Sequence, residues 1–237
     1  MTNDNAFRGK RVLLTGCDGS LGETLRHKLD LAGAAVYGTR CGLVERGDAE
    51  DAVETAGVAF DYVILNDGTN HLSWIGTTPE ADAGIMTRNV MAPYWVLNAV
   101  AARQASSAGA SSPHPARVVF VASQTYRVAQ RTTALYCASK AALVQVMRVA
   151  ARELAPEGWV VNAVAPGKIE DTRMAVATDA QVLALRGWSA EEAAGYARGL
   201  VPAGRNTSRD EIAEVVLWAL RAPAYVNGAV LEAMGGV

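Results

Sequence analysis

The chain has 237 residues, of which 50% are hydrophobic, and it carries a formal net charge of −2 with a pI near 6.0. This charge provides no basic field for nucleic acid or for an anionic membrane surface, so neither is expected as a partner. No apolar run reaches the ~18 residues of a membrane span, and the polar start of the chain lacks a signal-peptide hydrophobic region, which favours a cytoplasmic protein.

The three cysteines indicate the redox environment. Cys17, Cys41 and Cys137 are odd in number and lack the spacing of metal ligands. We therefore expect reduced thiols in a reducing compartment, and no metal site.

Strand-like apolar runs alternate with helical patterns along the chain. The runs lie at residues 11–15, 34–39, 59–65, 117–122, 159–164 and 229–232. This alternation predicts an α/β fold with a doubly wound parallel sheet of the Rossmann type. We expect a single domain over residues 1–237 that binds a dinucleotide and carries the catalytic groups.

A glycine-rich turn, Thr15 to Gly22, follows the first strand and precedes a helical pattern over residues 23–31. This order suits a dinucleotide pyrophosphate, because glycines let the backbone approach and a helix N-terminus supplies N–H groups and positive potential. Gly16, Gly19 and Gly22 are spaced three residues apart. Ser20 replaces one further glycine and offers a hydroxyl that can donate to phosphate.

The second strand ends at Thr39 and Arg40 without a carboxylate. In dinucleotide folds an acidic residue at this point accepts from the ribose 2′-hydroxyl, whereas an arginine accommodates the 2′-phosphate. The sequence therefore predicts NADP(H) in preference to NAD(H), with Arg40 as the phosphate contact.

The connection that follows the second strand is short. Val36 and Asn66 are only 30 residues apart. This length leaves room for one short strand near residues 43–46 and one helix near residues 49–56, and we expect the helix directly after strand two to be missing. The adenosine end of a bound dinucleotide should then be more exposed.

Two other segments interrupt the alternation. Residues 106–115 are small, polar and proline-bearing, which predicts an exposed loop in which His114 has no catalytic role. Residues 168–200 form a helical, alanine-rich stretch. Its apolar residues fit ordinary amphipathic helices that pack on the core.

Tyr136 and Lys140 are four residues apart, and Ser123 precedes Tyr136 by 13 residues. The four-residue step places both side chains on one face of a helix. A nearby ammonium favours the phenolate, which would make the tyrosine a usable proton donor and acceptor near neutral pH. Ser123 ends the run at 117–122, at the edge where catalytic groups of open α/β sheets gather.

Together with the glycine turn, these residues resemble the short-chain dehydrogenase/reductase family over residues 10–236. Residues 65–68 resemble its Asn-Asn-Ala-Gly segment, Asn89 resembles the asparagine of its central helix, and residues 161–167 resemble its Pro-Gly cofactor loop. Residues 200–205 are most similar to the 3-oxoacyl-carrier-protein reductases.

The resemblance implies a nicotinamide-dependent oxidoreductase, a ketoreductase that transfers hydride between the cofactor and a small carbonyl or alcohol. It implies that Tyr136 is the general acid or base, that Lys140 lowers its pKa and binds the nicotinamide ribose, that Ser123 donates to the substrate oxygen, and that Asn89 holds a water. It also implies that residues 168–200 form a substrate lid. The cofactor-binding residues are Thr15, Gly16, Gly19, Ser20, Leu21, Gly22, Arg40, Asp48, Asn66, Gly68, Tyr136, Lys140, Pro166, Gly167 and Ile169.

Two other functions remain open at this point. The chain could be a cofactor-binding sensor, which Asp67 in place of the family's alanine favours, or a non-redox lyase or isomerase that uses Tyr136 as an acid or base. The helices near residues 90–104 and 137–154 correspond to those that pair in family members. The second of them is apolar around most of its circumference, so we expect a homodimer or homotetramer.

Overall fold

The computed structural model describes residues 6–77, 80, 83–107 and 115–237. The strands are β1 (Arg11–Leu14), β2 (Ala35–Gly38), β3 (Tyr62–Leu65), β4 (Arg117–Val121), β5 (Val160–Pro166) and β6 (Val230–Ala233). They form one parallel sheet in the order β2-β1-β3-β4-β5-β6. Each strand overlaps one of the six predicted apolar runs, which confirms the predicted α/β fold.

The helices alternate with the strands until the last third of the chain. They are α1 (Ser20–Leu31), α2 (Arg46–Ala56), α3 (Ala83–Met86), α4 (Ala92–Ser107), α5 (Ala134–Leu154), α6 (Arg173–Arg186), α7 (Ala190–Gly199) and α8 (Arg209–Arg221). A π-helical turn, Thr87–Met91, joins α3 to α4. Across the described ranges, no helix is both long and apolar enough to cross a membrane.

Helices cover both faces of the sheet, so the central strands are buried on both sides. On one face α2, α4 and α5 enclose Phe60, Phe120 and Trp159, none of which is more than 2% exposed. On the other face α1 and α8 pack over Leu14 and Ile64. This two-sided burial explains why every residue of β3 and β5 is buried and why β3 is a continuous apolar run instead of an alternating one.

The predicted strand near residues 43–46 does not form, and this prediction was wrong. The Asp48 carboxylate accepts the backbone N–H groups of Val44 and Glu45 at 3.2 and 3.1 Å, in a capping box that starts α2 at Arg46. Because these amides serve the helix cap, they are not available to a strand ladder. The Asp48 carboxylate, which the sequence assigned to the cofactor site, has this structural role in the cap.

The short connection leaves β2 as an edge strand. One helix, α2, lies between β2 and β3, as predicted, and its Ala49 and Val53 pack into the core on the side of α4 and α5. The chain must therefore cross from the β2 edge to that face, over the carboxyl end of β1. Of the predicted loop at 106–115, residues 108–114, including His114, lie outside the described residues.

Candidate active site

The predicted site residues follow the carboxyl ends of neighbouring strands. Thr15 follows β1, Asn66 follows β3 and Ser123 follows β4 within a few residues. The strands that flank β1 are β2 and β3, so the chain reverses direction across the sheet at β1. Ligands of open α/β sheets bind in the crevice at such a switch point.

The glycine turn allows close backbone approach. A Cβ on Gly22 would lie 2.0 Å from the carbonyl oxygen of Gly16, so only glycine fits there. Gly16 itself has a φ of +63°, and Gly19 is the N-cap of α1. Leu21 is buried, at 8% exposure, and anchors the first turn of α1. The N-terminus of this helix therefore lies at the crevice, where its N–H groups suit a dinucleotide pyrophosphate.

Thr15 and Asn66 fasten this turn to the end of β3. The Thr15 hydroxyl accepts the N–H of Asn66 at 2.9 Å and that of Asp67 at 3.2 Å. The Asn66 side chain donates to the carbonyl oxygens of Thr15 and Gly16, both at 3.2 Å. The two predicted residues therefore shape the floor of the crevice through backbone contacts.

Basic and hydroxyl groups surround the end of β2. The Arg40 side chain is 89% exposed, and its Nε lies 3.6 Å from Asp18. The Thr39 hydroxyl oxygen is buried with no hydrogen-bond partner in the described part of the chain. A guanidinium nitrogen of Arg26 lies 4.0 Å from the Cβ position of Gly38. The sequence did not single out Arg26, because only the fold brings α1 beside this strand end.

The segment after Arg40 crosses the crevice and is tied down by two carboxylates. Asp18 accepts the N–H of Cys41 at 2.6 Å, and Asp67 accepts the N–H of Gly42 at 2.8 Å. Asp67 also pairs with Arg88 at 3.4 Å. Burial raises the pKa of the Cys41 thiol to about 12, and the two carboxylates add to the effect, so this cysteine stays a thiol.

Ser123 and Tyr136 meet at the end of β4. Ser123 is 9% exposed and caps the 3₁₀ turn Gln124–Tyr126, where its hydroxyl oxygen accepts the N–H of Thr125 at 3.3 Å. Tyr136 lies in the first turn of α5, close enough to the Ser123 side chain for the serine to lower the pKa of its phenol. The predicted serine and tyrosine are thus neighbours at the end of β4.

Lys140 is held beneath the tyrosine, one turn further along α5. Its Nζ donates to the carbonyl oxygen of Val121 at 3.1 Å and lies 5.7 Å from the centre of the Tyr136 ring. The side chain is 4% exposed. The Cβ position of Gly68 is 3.4 Å from this Nζ, so a larger residue at Gly68 would press on the lysine.

Asn89 lies in the π-helical turn between α3 and α4 and is fully buried. Its amide oxygen accepts the N–H of Thr69 at 2.7 Å, and its amide nitrogen donates to the Thr69 carbonyl oxygen at 2.9 Å and to the Ser139 hydroxyl at 3.0 Å. These bonds join the segment after β3 to α5. Single π-helical turns are frequent at functional sites, and no spacing rule in the sequence announces this one.

Burial sets the pKa values of the catalytic pair. Desolvation raises the pKa of Tyr136 to about 12, partly offset by the hydrogen bond from Ser123. Desolvation lowers the pKa of Lys140 to about 8, partly offset by Asp67. The predicted lowering of the Tyr136 pKa by Lys140 is therefore not observed, because the ammonium bonds to a backbone carbonyl and burial dominates.

Pro166, Gly167 and Ile169 form the other wall of the crevice at the end of β5. The Gly167 N–H donates to the Ala233 carbonyl oxygen at 2.9 Å, and Ile169 pairs with Thr207 in an isolated parallel bridge. These contacts fix the predicted loop against the last strand. In the sheet, β3 and β4 lie between β5 and β1, the strand that the glycine turn follows.

The predicted lid contains α6 and α7, and α6 contacts the rest of the site. The Gln181 side chain accepts the N–H of Leu72 at 2.8 Å. Lys168 pairs with Asp179 at 2.6 Å, which fastens the start of the segment to the helix. At its first residue, the N–H of Arg173 donates to the hydroxyl oxygen of Ser20 at 3.0 Å. The sequence did not single out Arg173.

Known proteins are similar to this chain over most of its length. A family model described as enoyl-(acyl carrier protein) reductase matches residues 3–237. The 2-(S)-hydroxypropyl-CoM dehydrogenase 3 of Xanthobacter autotrophicus is 29% identical, with 97% of this chain and 87% of that protein covered. The 3-oxoacyl-[acyl-carrier-protein] reductase of Escherichia coli is 26% identical, with 98% of both chains covered, so a particular similarity to that group has only weak support.

Solved structures share the fold. A xylitol dehydrogenase with bound NAD⁺ has a TM-score of 0.83 at 23% identity and covers 98% of this chain and 100% of its own. A gluconate 5-dehydrogenase of Burkholderia cenocepacia J2315, in complex with NADP and tartrate, has a TM-score of 0.81 at 22% identity and covers 98% and 97%. These neighbours carry either nicotinamide cofactor, so they establish the fold and leave the cofactor preference to this chain's own residues.

Proposed function

The chain belongs to the short-chain dehydrogenase/reductase family, and on that premise we propose that it is an NADP(H)-dependent ketoreductase. As a family member it is a nicotinamide-dependent oxidoreductase that acts on carbonyl or alcohol substrates. The observation that carries the finer proposal is the grouping of Ser123, Tyr136 and the buried Lys140, whose Nζ lies 5.7 Å from the centre of the Tyr136 ring. A tyrosine kept protonated by burial suits the direction in which a carbonyl receives a proton.

The chain's residues supply the proton and the orientation. The nicotinamide, when bound, supplies or accepts the hydride. The Tyr136 hydroxyl gives its proton to the carbonyl oxygen as negative charge develops there. The Ser123 hydroxyl donates a hydrogen bond to the same oxygen, which fixes the substrate within reach of Tyr136. In the reverse direction Tyr136 takes the proton from an alcohol.

Lys140 and Asn89 support the tyrosine. A lysine with a pKa near 8 is mostly protonated at neutral pH and can release and regain a proton at little cost. Its Nζ lies near both Tyr136 and Gly68, so it can hold a ribose hydroxyl beside the ring. Asn89 ties the segment at Thr69 to α5 through Ser139, and its role in holding a water that returns protons to Lys140 is carried over from the family resemblance.

Three groups at the end of β2 support the preference for NADP(H). Arg40 is exposed at the end of β2, where it can contact a 2′-phosphate, and Arg26 approaches the same strand end from α1. The buried, unpartnered hydroxyl of Thr39 needs an acceptor, which a phosphate oxygen provides. Asp18 opposes this preference, but its carboxylate is already occupied by the N–H of Cys41 and by Arg40.

A cofactor titration tests this preference. We expect NADPH to bind more tightly than NADH, and Arg40→Ala to weaken NADPH alone by roughly 10- to 150-fold, the worth of a charge-assisted contact. Arg46→Ala, an exposed arginine that pairs with Glu50, is the matched control. Equal affinities in the unaltered protein, or no effect of Arg40→Ala, would contradict the assignment.

We also propose four features that concern the whole chain. Residues 1–237 form a single domain, and residues 168–200 act as its substrate lid, which the contact of Gln181 with Leu72 supports. The protein is a homodimer or homotetramer through α4 and α5. It works in the cytoplasm, which is supported by the absence of a disulfide among its three cysteines, all of which lie in described ranges.

A further inference from the structure

The proposed lid is fastened to the glycine turn through its first helical residue. Thr172 caps α6, its hydroxyl oxygen accepting the N–H of Ala175 at 3.0 Å, and Arg173 is the first residue of the helix. The Arg173 N–H donates to the Ser20 hydroxyl oxygen at 3.0 Å, and its guanidinium donates to the Asp18 carbonyl oxygen. The backbone and the side chain of Arg173 thus both bond to residues beside the N-terminus of α1.

Ser20 makes this attachment possible. It stands where the family pattern has a glycine, and its hydroxyl oxygen receives the N–H of Arg173. The hydroxyl keeps its own proton to donate. A group that bonds to the lid through its oxygen and to a phosphate through its proton links the two physically.

The positive charge of Arg173 is only weakly paired among the described residues. Its ion pair there is with Glu23 at 3.7 Å, and both side chains are more than half exposed. An exposed pair at this distance contributes little and costs little to break. The guanidinium is therefore available to a stronger anion that arrives at the N-terminus of α1.

We propose that Arg173 binds the pyrophosphate of the cofactor and, together with Ser20, couples cofactor binding to the docking of α6. A guanidinium presents several N–H donors in a planar fork that matches phosphate oxygens. The pyrophosphate is expected at the N-terminus of α1, where the Arg173 guanidinium already lies. This inference rests on the dinucleotide site proposed above.

The segment before Arg173 already holds α6 in place. Asp171, two residues before it, has a φ of +54°, a left-handed conformation that aspartate adopts more readily than most residues. Lys168, on the same side of Arg173, pairs with Asp179 and ties the segment to α6. An added bond between Arg173 and the cofactor would stabilise this conformation, so the helix should dock more firmly when the cofactor is bound.

The test compares cofactor affinity and lid protection in the same variants. We expect Arg173→Ala to weaken NADPH and NADH binding by about 10-fold or more, measured by fluorescence titration, and Arg173→Lys to weaken it less. Arg186→Ala, at the opposite end of α6, should bind both cofactors normally. Hydrogen exchange of α6 should slow when cofactor is added to the unaltered protein, and this slowing should be smaller in Arg173→Ala and in Ser20→Gly, which restores the family's glycine.

Each remaining outcome counts against the proposal. Unchanged affinity in Arg173→Ala would overturn the phosphate contact, and equal α6 protection in all variants would overturn the coupling. Equal weakening of reduced nicotinamide riboside, which lacks both phosphates of the pyrophosphate, would assign Arg173 a purely structural role. Failure of the unaltered protein to bind either dinucleotide would instead overturn the proposed function itself.

Discussion

Burial has opposite effects on Tyr136 and Lys140. It raises the pKa of the phenol to about 12 and lowers that of the ammonium to about 8, because a desolvated site disfavours the charged form of either group. At neutral pH the phenol is therefore protonated and ready to act as an acid. The lysine is close enough to its pKa to exchange protons with solvent or with a relay.

The lysine pKa gives a prediction for stability. Between pH 8 and 10.5 the folded chain has lost the Lys140 proton while the unfolded chain keeps it, so stability should rise with pH in this window. Between pH 7 and pH 9.5 the free energy of unfolding of the unaltered protein should rise by about 2 kcal/mol. This rise should be absent in Lys140→Met. Urea unfolding of both proteins at the two pH values measures it. The same pH dependence in both proteins would show that Lys140 is not desolvated.

Among the individual site residues, the sequence predicted those whose spacing is local or whose motif is familiar. Ser123, Tyr136 and Lys140 lie together as expected, since a strand end and a helical i,i+4 step determine their positions. Arg26 and Arg173 were missed, because only the folded chain brings them to the β2 end and the glycine turn. Arg173 is 153 residues from the serine it contacts, and no local pattern encodes that distance.

Among the elements, the short connection between β2 and β3 differs most from expectation. The six strands and the single helix α2 followed from apolar runs and chain length. The extra strand at residues 43–46 was wrong, because the capping signal of Glu45 and Asp48 outweighed a short apolar pair. The π-helical turn at Asn89 could not be predicted, since it arises from packing between α4 and α5 and not from helix propensity.

The capping role of Asp48 can be tested directly. Asp48→Ala removes the acceptor for two backbone amides and should lower the free energy of unfolding by about 1 kcal/mol. Asp51→Ala, an exposed residue further along α2, is the control and should have little effect. Both variants should bind NADPH normally. Weaker NADPH binding in Asp48→Ala alone would restore Asp48 to the cofactor site.

For the whole molecule, α4 and α5 are the helices of the proposed assembly. Large apolar side chains on these helices and on the π-helical turn before α4 are exposed at 39–44% of their area, namely Met91, Tyr94, Leu135 and Val149. The opposite side of α5 is already buried against the sheet. An apolar surface of this kind on paired helices suits a symmetric contact with a second copy.

Light scattering at micromolar concentration measures the assembly. We expect a mass of about 50 kDa for a dimer, or twice that for a tetramer, from a chain of 24.9 kDa. Val149→Arg, which places a charge in the contact, should lower the mass to that of the monomer. Leu31→Arg is the control, because Leu31 is equally apolar and 76% exposed but lies on α1. A monomeric mass for the unaltered protein would exclude the proposed interface.

The central claim is that Tyr136 gives the proton to a carbonyl at a nicotinamide site. The most direct measurement is NADPH consumption by the unaltered protein and by Tyr136→Phe, in parallel, against simple ketones, quinones and β-ketoacyl thioesters. We predict turnover with at least one of these classes, and a loss of at least ~10²-fold in Tyr136→Phe with nearly unchanged NADPH affinity, the usual effect of removing a general acid. Near-native turnover in Tyr136→Phe would contradict the account.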